Sequence, residues 1–270
     1  KINNKFSCLM VTYDGENQNR LRNCLQSISE QTMLADEMIL VLDGRLRSEL
    51  RDIIDQFSKK LKIQIVQSKK QGLAKCLNEG IKHITYDIVV RCDSDDINLN
   101  TRFQKQVEWI EETGADLVSN GIQEFDDIGI QQKSRLLKEG LISKNNFFPI
   151  FRNPVNHNCC CFKKTSVINS GCYPDGRMED YRLWLQMINN NMVLKHSNEI
   201  LLKAYAGSIS NRRIGRDYLA AEIDLFLLKL KIYPIIKIPI ILATLVLRCF
   251  VRLPLINNIL PKLYRYFLRK

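Results

Sequence analysis

Residues 89–96 read Val-Val-Arg-Cys-Asp-Ser-Asp-Asp, an apolar pair followed closely by three carboxylates within four positions. The β-branched pair predicts the end of a buried strand. Side chains alternate along an extended chain, so Asp93 and Asp95 point to the same side, where their charges repel one another unless a cation binds. Mg²⁺ and Mn²⁺ prefer such oxygen ligands and take further ligands from substrate phosphates. The stretch therefore predicts a metal–diphosphate site at a strand end. The alternative is a polar turn, with Asp95 or Asp96 capping a helix that begins near Asn100.

Strand and helix patterns alternate along the chain around this stretch. The predicted strands cover residues 6–11, 38–42, 63–67, 87–91, 116–123 and 158–162. The predicted helices cover residues 19–31, 49–61, 73–83, 102–113 and 178–191. Such alternation indicates βαβ units, so we predict an α/β fold with a mostly parallel central sheet flanked by helices. Residues 131–144 are weakly patterned and are predicted to form a mobile insertion.

Polar motifs follow three of the predicted strands directly. These are Thr-Tyr-Asp-Gly-Glu at 12–16, Asp-Gly at 43–44 and the aspartates at 93–96. In parallel sheets ligands bind outside the carboxyl ends of the strands. The coincidence of three such motifs favours an active site over a polar turn.

The basic charge of the chain is concentrated at one end. Its 270 residues suit one large domain, or one domain with an appendage, and the formal net charge is +11. Nine of the 40 basic residues lie beyond Asp224, where no acidic residue occurs, so the rest of the chain has 31 basic against 29 acidic residues. A nucleic-acid surface would carry basic residues and exposed aromatic residues on the folded body. We therefore do not expect a nucleic-acid partner.

The last segment, residues 226–268, mixes apolar clusters with Lys and Arg. Its longest uncharged run, residues 238–247, is shorter than the roughly 20 apolar residues that a bilayer-spanning helix needs. Basic side chains beside apolar faces are typical of amphipathic helices that lie on an anionic membrane surface. The alternative is a helical hairpin that packs on the rest of the chain or forms a homodimer contact.

Cysteine usage bears on the cellular compartment. The nine cysteines are odd in number and lie mostly in apolar runs. This pattern indicates buried, reduced thiols in a cytosolic protein rather than a disulfide framework. The run Cys159-Cys160-Cys161, with His157 and Cys172, lacks the ligand spacing of usual zinc sites.

Six motifs along the chain resemble, in their order and spacing, those of family 2 glycosyltransferases. They are SCLMVTYDGE (7–16), QT (31–32), ILVLDG (39–44), GLAKCLNEG (72–80), RCDSDDI (91–97) and EDYRLW (179–184). The resemblance covers residues 6 to about 215. It implies an inverting, nucleotide-sugar-dependent enzyme with the Rossmann-like GT-A fold, similar to bacterial enzymes that build O-antigen, capsule or exopolysaccharide repeat units.

The resemblance also implies roles for the residues at the strand ends. The nucleotide pocket would be lined by Thr12, Tyr13 and Glu16, with Asp43 near the uracil. Asp93 would face the ribose or diphosphate, Asp95 would hold Mn²⁺ or Mg²⁺, and Asp96 would support the loop.

On the acceptor side, the resemblance implies that Asp180, beside Glu179, is the catalytic base. His157 would precede the acceptor-side strand, and Arg212 and Arg213 would close over the diphosphate. Each position has a structural alternative. Two acids in a first helical turn are favoured by the helix dipole, His157 would be a buried structural histidine, and the arginines would form a solvated basic turn.

Taken with the resemblance, the sequence leads to one main hypothesis about function. We expect a transferase that moves glucose or galactose from a UDP-sugar to a polyprenyl-diphosphate-linked N-acetylhexosamine or oligosaccharide. The bond formed would be a β1,3 linkage, and the reaction would take place at the cytoplasmic face of a bacterial membrane. The first alternative is a sugar-phosphate nucleotidyltransferase, but such enzymes usually begin with a glycine-rich phosphate loop, which is missing from residues 7–20. The second is a non-enzymatic basic protein that binds membranes or nucleic acid.

We expect three parts along the chain. Residues 1–98 would form the nucleotide-sugar-binding half of the GT-A domain and residues 99–215 its acceptor-binding half. Residues 216–270 would form the helical, membrane-associating tail.

Overall fold

The computed structural model describes residues 5–125, 131–205 and 216–251. The first half contains β1 (Phe6–Tyr13), α1 (Gln18–Ser29), β2 (Glu37–Asp43), α2 (Ser48–Leu61), β3 (Ile63–Ser68), α3 (Leu73–His83), β4 (Ile88–Asp93), β5 (Ile97–Asn98) and α4 (Arg102–Thr113). The second half contains β6 (Leu117–Phe125), β7 (Gln131–Arg135), β8 (Gly140–Ile142), α5 (Phe148–Phe151), β9 (Cys160–Lys163), α6 (Lys164–Asn169), α7 (Glu179–Asn189), β10 (Leu194–Tyr205), α8 (Arg216–Ile232) and α9 (Ile238–Val251). Each predicted helix and strand before α8 is present, and no end differs by more than two residues.

One ten-stranded sheet forms the centre of the fold, in the order β3-β2-β1-β4-β9-β6-β10-β5, with β7 beside β6 and β8 beside β10. The pairs from β3 to β4 are all parallel, as the alternation of strands and helices predicts. The second half is mixed, because β9 lies antiparallel between β4 and β6 while β6 and β10 are parallel. The parallel half therefore presents its strand ends, with their polar motifs, at one edge.

The prediction of a mobile insertion at 131–144 is wrong where the structure describes it. Two short strands, β7 and β8, extend the sheet by antiparallel pairing with β6 and β10. Side chains reinforce the pairing, since Ser134 donates to Gln123 at 2.8 Å and Arg135 forms an ion pair with Glu124. Strand β7 is polar, with the sequence Gln-Gln-Lys-Ser-Arg, and β8 has only the three residues Gly-Leu-Ile, so neither shows an apolar alternation that would reveal it in the sequence.

Helices cover both faces of the sheet. Because strand side chains alternate, Leu9 packs with α3, α6 and α7 on one face, whereas Cys8 and Met10 pack with α1, α2 and α4 on the other. Strand β1 is therefore buried on both sides, which is typical of the centre of a parallel sheet.

Helix α3 lies unusually close to the sheet at Gly80. A methyl group at this position would lie 2.5 Å from Leu9 Cδ1 and 2.9 Å from Val41 Cγ2, two fully buried side chains. The absence of a side chain at Gly80 thus lets the helix backbone contact the strands that lead into the site.

We expect Gly80→Ala to lower the free energy of unfolding by about 1–3 kcal/mol, because the added methyl group overpacks the core. Chemical denaturation monitored by circular dichroism measures the change. Lys82→Ala, on the exposed side of the same helix, is the control and should cost less than about 0.5 kcal/mol. Equal stability of Gly80→Ala and the wild type would contradict this close approach.

The last two described helices, α8 and α9, form a hairpin that packs on α7 and α5. Its contacts include an apolar cluster of Ile150, Tyr233 and Ile241. In the connection between the helices, Ile235 and Ile236 are 81% and 84% exposed to solvent. Neither these helices nor any other within the described residues combines the length and apolar character needed to cross a bilayer.

Candidate active site

The sheet register brings the three polar motifs together at one edge. Val11 pairs with Asp93 across β1 and β4, and Tyr13 pairs with Asp43 across β1 and β2. All three strands run in the same direction, so their carboxyl ends meet at this edge. A shared site at the strand ends is what the sequence predicts.

The aspartates after β4 form a compact carboxylate cluster. One oxygen from each of Asp93, Asp95 and Asp96 lies within 4.8 Å of the others, and no other such group of potential ligands occurs within the described ranges. Burial, then the charges of Asp93 and Glu16, raise the pKa of Asp95 to about 6. Burial and the neighbouring aspartates likewise raise the pKa of Asp96. A set of three oxygens whose charges disfavour one another fits a hard divalent cation, which would relieve the repulsion.

Hydrogen bonds tie this cluster to the loops on both sides. Glu16 accepts from the hydroxyl of Ser94 at 2.6 Å, which connects the β1–α1 loop to the aspartate loop. Asn158 donates to Asp96 at 2.6 Å, which connects the aspartate loop to the segment before β9. Glu16 and Asp96 therefore hold the site loops in place and are themselves nearly buried.

The other residues predicted for the nucleotide pocket lie at the same edge. Thr12 is buried and its hydroxyl has no hydrogen-bond partner, whereas Tyr13 is 48% exposed beside it. Asp43 accepts from the backbone N–H of Gln71 at 2.7 Å and of Gly72 at 3.2 Å, just where α3 begins. Asp43 thus fixes the turn into α3, and its contact with a base stays a prediction.

A second pair of acids begins α7. Asp180 accepts a hydrogen bond from the side-chain amide of Asn153 at 2.6 Å. Burial and the charge of Asp180 raise the pKa of Glu179 to about 7. The residue before the helix, Met178, adopts a left-handed backbone with φ of 56°, a conformation that costs a non-glycine residue about 1–2 kcal/mol. This turn sets the direction in which the two acids leave the loop.

Arg91 links the two acidic groups, although it is not among the residues predicted for the site. Its guanidinium is buried and forms an ion pair with Asp93, while its Nε and Nη1 atoms have no partner. Its charge also opposes the rise in the pKa of Glu179, so Arg91 lies within electrostatic range of both acidic groups. The only signal in the sequence is a charged residue within an otherwise apolar strand.

His157 lies in a buried aromatic cluster. Its ring contacts the phenol oxygen of Tyr173 at 3.2 Å and meets the Trp184 ring edge-on at 5.8 Å between centroids. Burial, and then the charge of Arg91, lower its pKa well below the ordinary value, so the imidazole is neutral at pH 7. These contacts favour a structural role, while its predicted role on the acceptor side remains untested.

The arginines predicted to close over the diphosphate, Arg212 and Arg213, lie outside the described residues. Another arginine, which is not among the predicted site residues, lies at the site. The Arg20 guanidinium stacks on the ring of Tyr205 at 4.2 Å, and its charge counteracts the rise in the pKa of Asp95. Arg20 thus adds positive charge beside the aspartate cluster.

Comparison with known proteins identifies the family. The sequence model described as glycosyl transferase family 2 matches residues 7–170, more than half of the chain. The chain belongs to glycosyl transferase family 2. The matched region of this family 2 member includes both the strand-end motifs and the aspartate cluster.

Two relatives show which kind of family 2 enzyme this chain is similar to. The amylovoran biosynthesis glycosyltransferase AmsE of Erwinia amylovora is 36% identical over 83% of this chain and 85% of the relative. An Escherichia coli protein named UDP-Gal:alpha-D-GlcNAc-diphosphoundecaprenol beta-1,3-galactosyltransferase is 33% identical over 81% of each chain. The chain is thus similar to bacterial exopolysaccharide and O-antigen glycosyltransferases.

A solved structure confirms the predicted GT-A fold. S. aureus TarS matches with a TM-score of 0.71 and 18% identity over 97% of this chain, which spans 46% of TarS. The same protein limited to residues 1–349, in complex with UDP-GlcNAc, matches with a TM-score of 0.70 and 19% identity over 91% of this chain and 72% of that chain. Family 2 membership favours the glycosyltransferase hypothesis over the nucleotidyltransferase and non-enzymatic alternatives.

Proposed function

We propose that this protein is an inverting hexosyltransferase that moves glucose or galactose from a UDP-sugar to a polyprenyl-diphosphate-linked N-acetylhexosamine or oligosaccharide, forming a β1,3 linkage. The product would be an intermediate of O-antigen or capsule repeat-unit synthesis. The observation that carries the proposal is the geometry of the site. A carboxylate cluster suited to a divalent cation lies at the strand ends, and Arg91, which pairs with Asp93 of this cluster, also lies within electrostatic range of the acidic pair that begins α7.

The comparisons support this choice of substrates. The Escherichia coli relative is named for a UDP-galactose donor and a diphosphoundecaprenol-linked GlcNAc acceptor, and TarS is solved with UDP-GlcNAc. We extend these substrate classes to the present chain as part of the proposal.

On the donor side, Asp95 would hold Mn²⁺ or Mg²⁺ with support from Asp93. The ion supplies charge neutralisation to the diphosphate that leaves. Thr12 offers an unpartnered buried hydroxyl toward the nucleotide pocket, and Tyr13 offers an exposed ring beside it. Arg91 holds Asp93 in place through their ion pair.

On the acceptor side, Asp180 would accept the proton of the attacking hydroxyl. Such a hydroxyl is a poor nucleophile and needs a base as it reacts. The hydroxyl oxygen forms its bond to the anomeric carbon as the bond from that carbon to the phosphate oxygen breaks. A single displacement inverts the anomeric centre, so an α-linked donor gives a β-linked product.

The proposal is tested by supplying UDP-glucose, UDP-galactose and their N-acetylated forms with a synthetic lipid-diphosphate GlcNAc or GalNAc acceptor and divalent metal. We expect one hexose to be transferred, and nuclear magnetic resonance of the product to show a β1,3 bond. Transfer with retention of the α configuration, or no transfer from any UDP-hexose, would overturn the proposal.

We further propose that the α8–α9 hairpin places the enzyme on the inner face of the cytoplasmic membrane, as a peripheral protein. Ile235 and Ile236 protrude from the hairpin, and Phe147 is half-exposed beside Lys237, whose ammonium lies 3.8 Å from its ring centroid. Apolar side chains next to basic residues suit an anionic lipid surface. A lipid-linked acceptor would then reach the site from the same surface.

We expect the double variant Ile235→Asp, Ile236→Asp to lose at least about tenfold of its affinity for vesicles of phosphatidylethanolamine and phosphatidylglycerol. Burial of each isoleucine side chain contributes about 1.5–3 kcal/mol, and the new carboxylates repel anionic lipid. Co-sedimentation with the vesicles measures the change.

The control for this variant is Ile65→Asp, Leu141→Asp, which adds the same charge at two exposed apolar residues on β3 and β8. The control should bind vesicles like the wild type. If vesicle binding were unchanged in the hairpin variant, or lost equally in the hairpin variant and the control, the hairpin would not be the membrane-binding surface.

A further inference from the structure

The hydrogen bond to Asp180 comes from a side chain whose orientation is itself fixed. The Oδ1 atom of Asn153 accepts from the backbone N–H of Val155 at 3.2 Å. This bond directs the amide N–H₂ of Asn153 away from Val155 and toward Asp180 Oδ2, at 2.6 Å. The carboxylate therefore receives a donor hydrogen bond of defined direction.

We infer that Asn153 is a positioning residue for the base Asp180, and that the buried Glu222–Arg248 ion pair braces the two segments from which these side chains project. The inference rests on the proposed role of Asp180. It goes beyond that role because it names the residues that orient the Asp180 carboxylate and favour its ionised form.

Arg248, on α9, contacts both segments at once. Its Nε atom donates to Glu222 on α8 at 2.6 Å, its Nη1 atom donates to the carbonyl of Phe151 at 3.3 Å, and its Nη2 atom lies 3.7 Å from Met178 Sδ. Phe151 lies two residues before Asn153, and Met178 lies two residues before Asp180. One guanidinium thus spans the C-terminal end of α5 and the N-terminal turn of α7.

Tyr181 strengthens the same junction. Its hydroxyl donates to the carbonyl of Pro149 in α5 at 2.5 Å. The guanidinium of Arg248 and the ammonium of Lys229 lie 5.5 Å and 5.1 Å from its ring centroid. All of these side chains are nearly buried, so their hydrogen bonds and charges act in a medium that screens them weakly.

The chemistry of a general base explains why such a bond would matter. A donor hydrogen bond favours the ionised carboxylate over the protonated form, and it restricts the carboxylate to one orientation toward the acceptor. The ionisable groups that act on this region are Glu179 on the same helix, Tyr173 on the preceding loop, and Arg91 and Arg177 through their charges. Asn153 is a neutral donor among them and does not titrate.

The test is the isosteric variant Asn153→Asp. It preserves the acceptor for the Val155 N–H and replaces the amide donor with a second carboxylate. We expect kcat to fall about 10–100-fold while the UDP affinity and the melting temperature stay close to those of the wild type. Two adjacent carboxylates raise the pKa of the pair, so the acidic limb of the kcat/KM profile should move to higher pH.

The brace is tested separately with Arg248→Lys, which keeps the positive charge beside Glu222 but removes the forked contacts. We expect a lower kcat with unchanged UDP affinity, whereas Lys231→Met, on the exposed side of α8, should behave like the wild type. An unchanged kcat in Arg248→Lys would overturn the brace. An unchanged kcat and pH profile in Asn153→Asp, or a fall in kcat matched by loss of UDP binding and of thermal stability, would overturn the positioning role.

Parallel assays of Asp180→Asn separate this inference from the proposed function. If Asp180→Asn is inactive while Asn153→Asp is normal, only the inference fails. If Asp180→Asn is itself active, the proposed base assignment fails first.

Discussion

Asp180→Asn is expected to lower kcat by about 10²–10⁴-fold, the range that a general base supplies, while UDP still binds with wild-type affinity. Asparagine keeps the size of the side chain but does not accept a proton from an attacking hydroxyl. The proposed nucleotide pocket lies at the strand ends and not on α7, so donor binding should be unaffected. Product formation from UDP-sugar measures kcat, and calorimetry with UDP measures affinity.

The control for this variant lies at the adjacent position. Glu179→Gln removes a carboxyl group from the same helical turn, one whose pKa burial and the charge of Asp180 raise to about 7. We expect it to reduce kcat less than tenfold. If Glu179→Gln were inactive and Asp180→Asn active, the base would have to be reassigned to Glu179.

The second large effect is expected at the aspartate cluster. Asp95→Ala should weaken metal-supported UDP binding by about 10–100-fold or more, since loss of a residue that merely supports a ligand already has an effect of that size. Three carboxylates within 4.8 Å become two, and the charge that attracts the cation falls accordingly. Calorimetry of UDP binding with Mn²⁺ and with a chelator measures the metal-dependent part directly.

Asp14→Ala is the matched control for Asp95→Ala. Asp14 lies at the same edge of the sheet but outside the cluster, where it accepts from the backbone N–H of Arg47 at 2.7 Å. Its removal should leave the Mn²⁺ dependence of UDP binding intact. If the UDP affinity of Asp95→Ala differed between Mn²⁺ and chelator by as much as that of the wild type, Asp95 would be excluded as a metal ligand.

The parts of the fold and site that the sequence predicts are those that depend on local pattern. Apolar periodicity locates β1 to β4, the helices between them and α4, because each of these elements buries one face or both faces on its immediate neighbours. The polar motifs after β1, β2 and β4 predict a common edge because parallel strands end together. The pairing of Val11 with Asp93 and of Tyr13 with Asp43 follows that geometry.

The parts that the sequence does not predict depend on contacts between distant residues. Asn153 is 27 positions from Asp180, in a loop with no periodic pattern, and only the folded chain brings them together. Strands β7 and β8 are short and lack an apolar alternation, so their existence depends on pairing with β6 and β10. Arg91 carries a buried charge that is tolerated because Asp93 lies beside it, which no apolar pattern indicates.

The Glu222–Arg248 pair has a consequence for where the catalytic unit ends. The match to the family model ends at residue 170, but the side chains that hold the N-terminal turn of α7 belong to α8 and α9. Shortening the chain before Arg248 would remove the guanidinium that pairs with the buried Glu222, and removing one partner of a buried ion pair costs about 3–5 kcal/mol. The hairpin therefore supports the turn that carries Asp180, and any exchange of C-terminal segments between related enzymes would have to transfer both partners of this pair together.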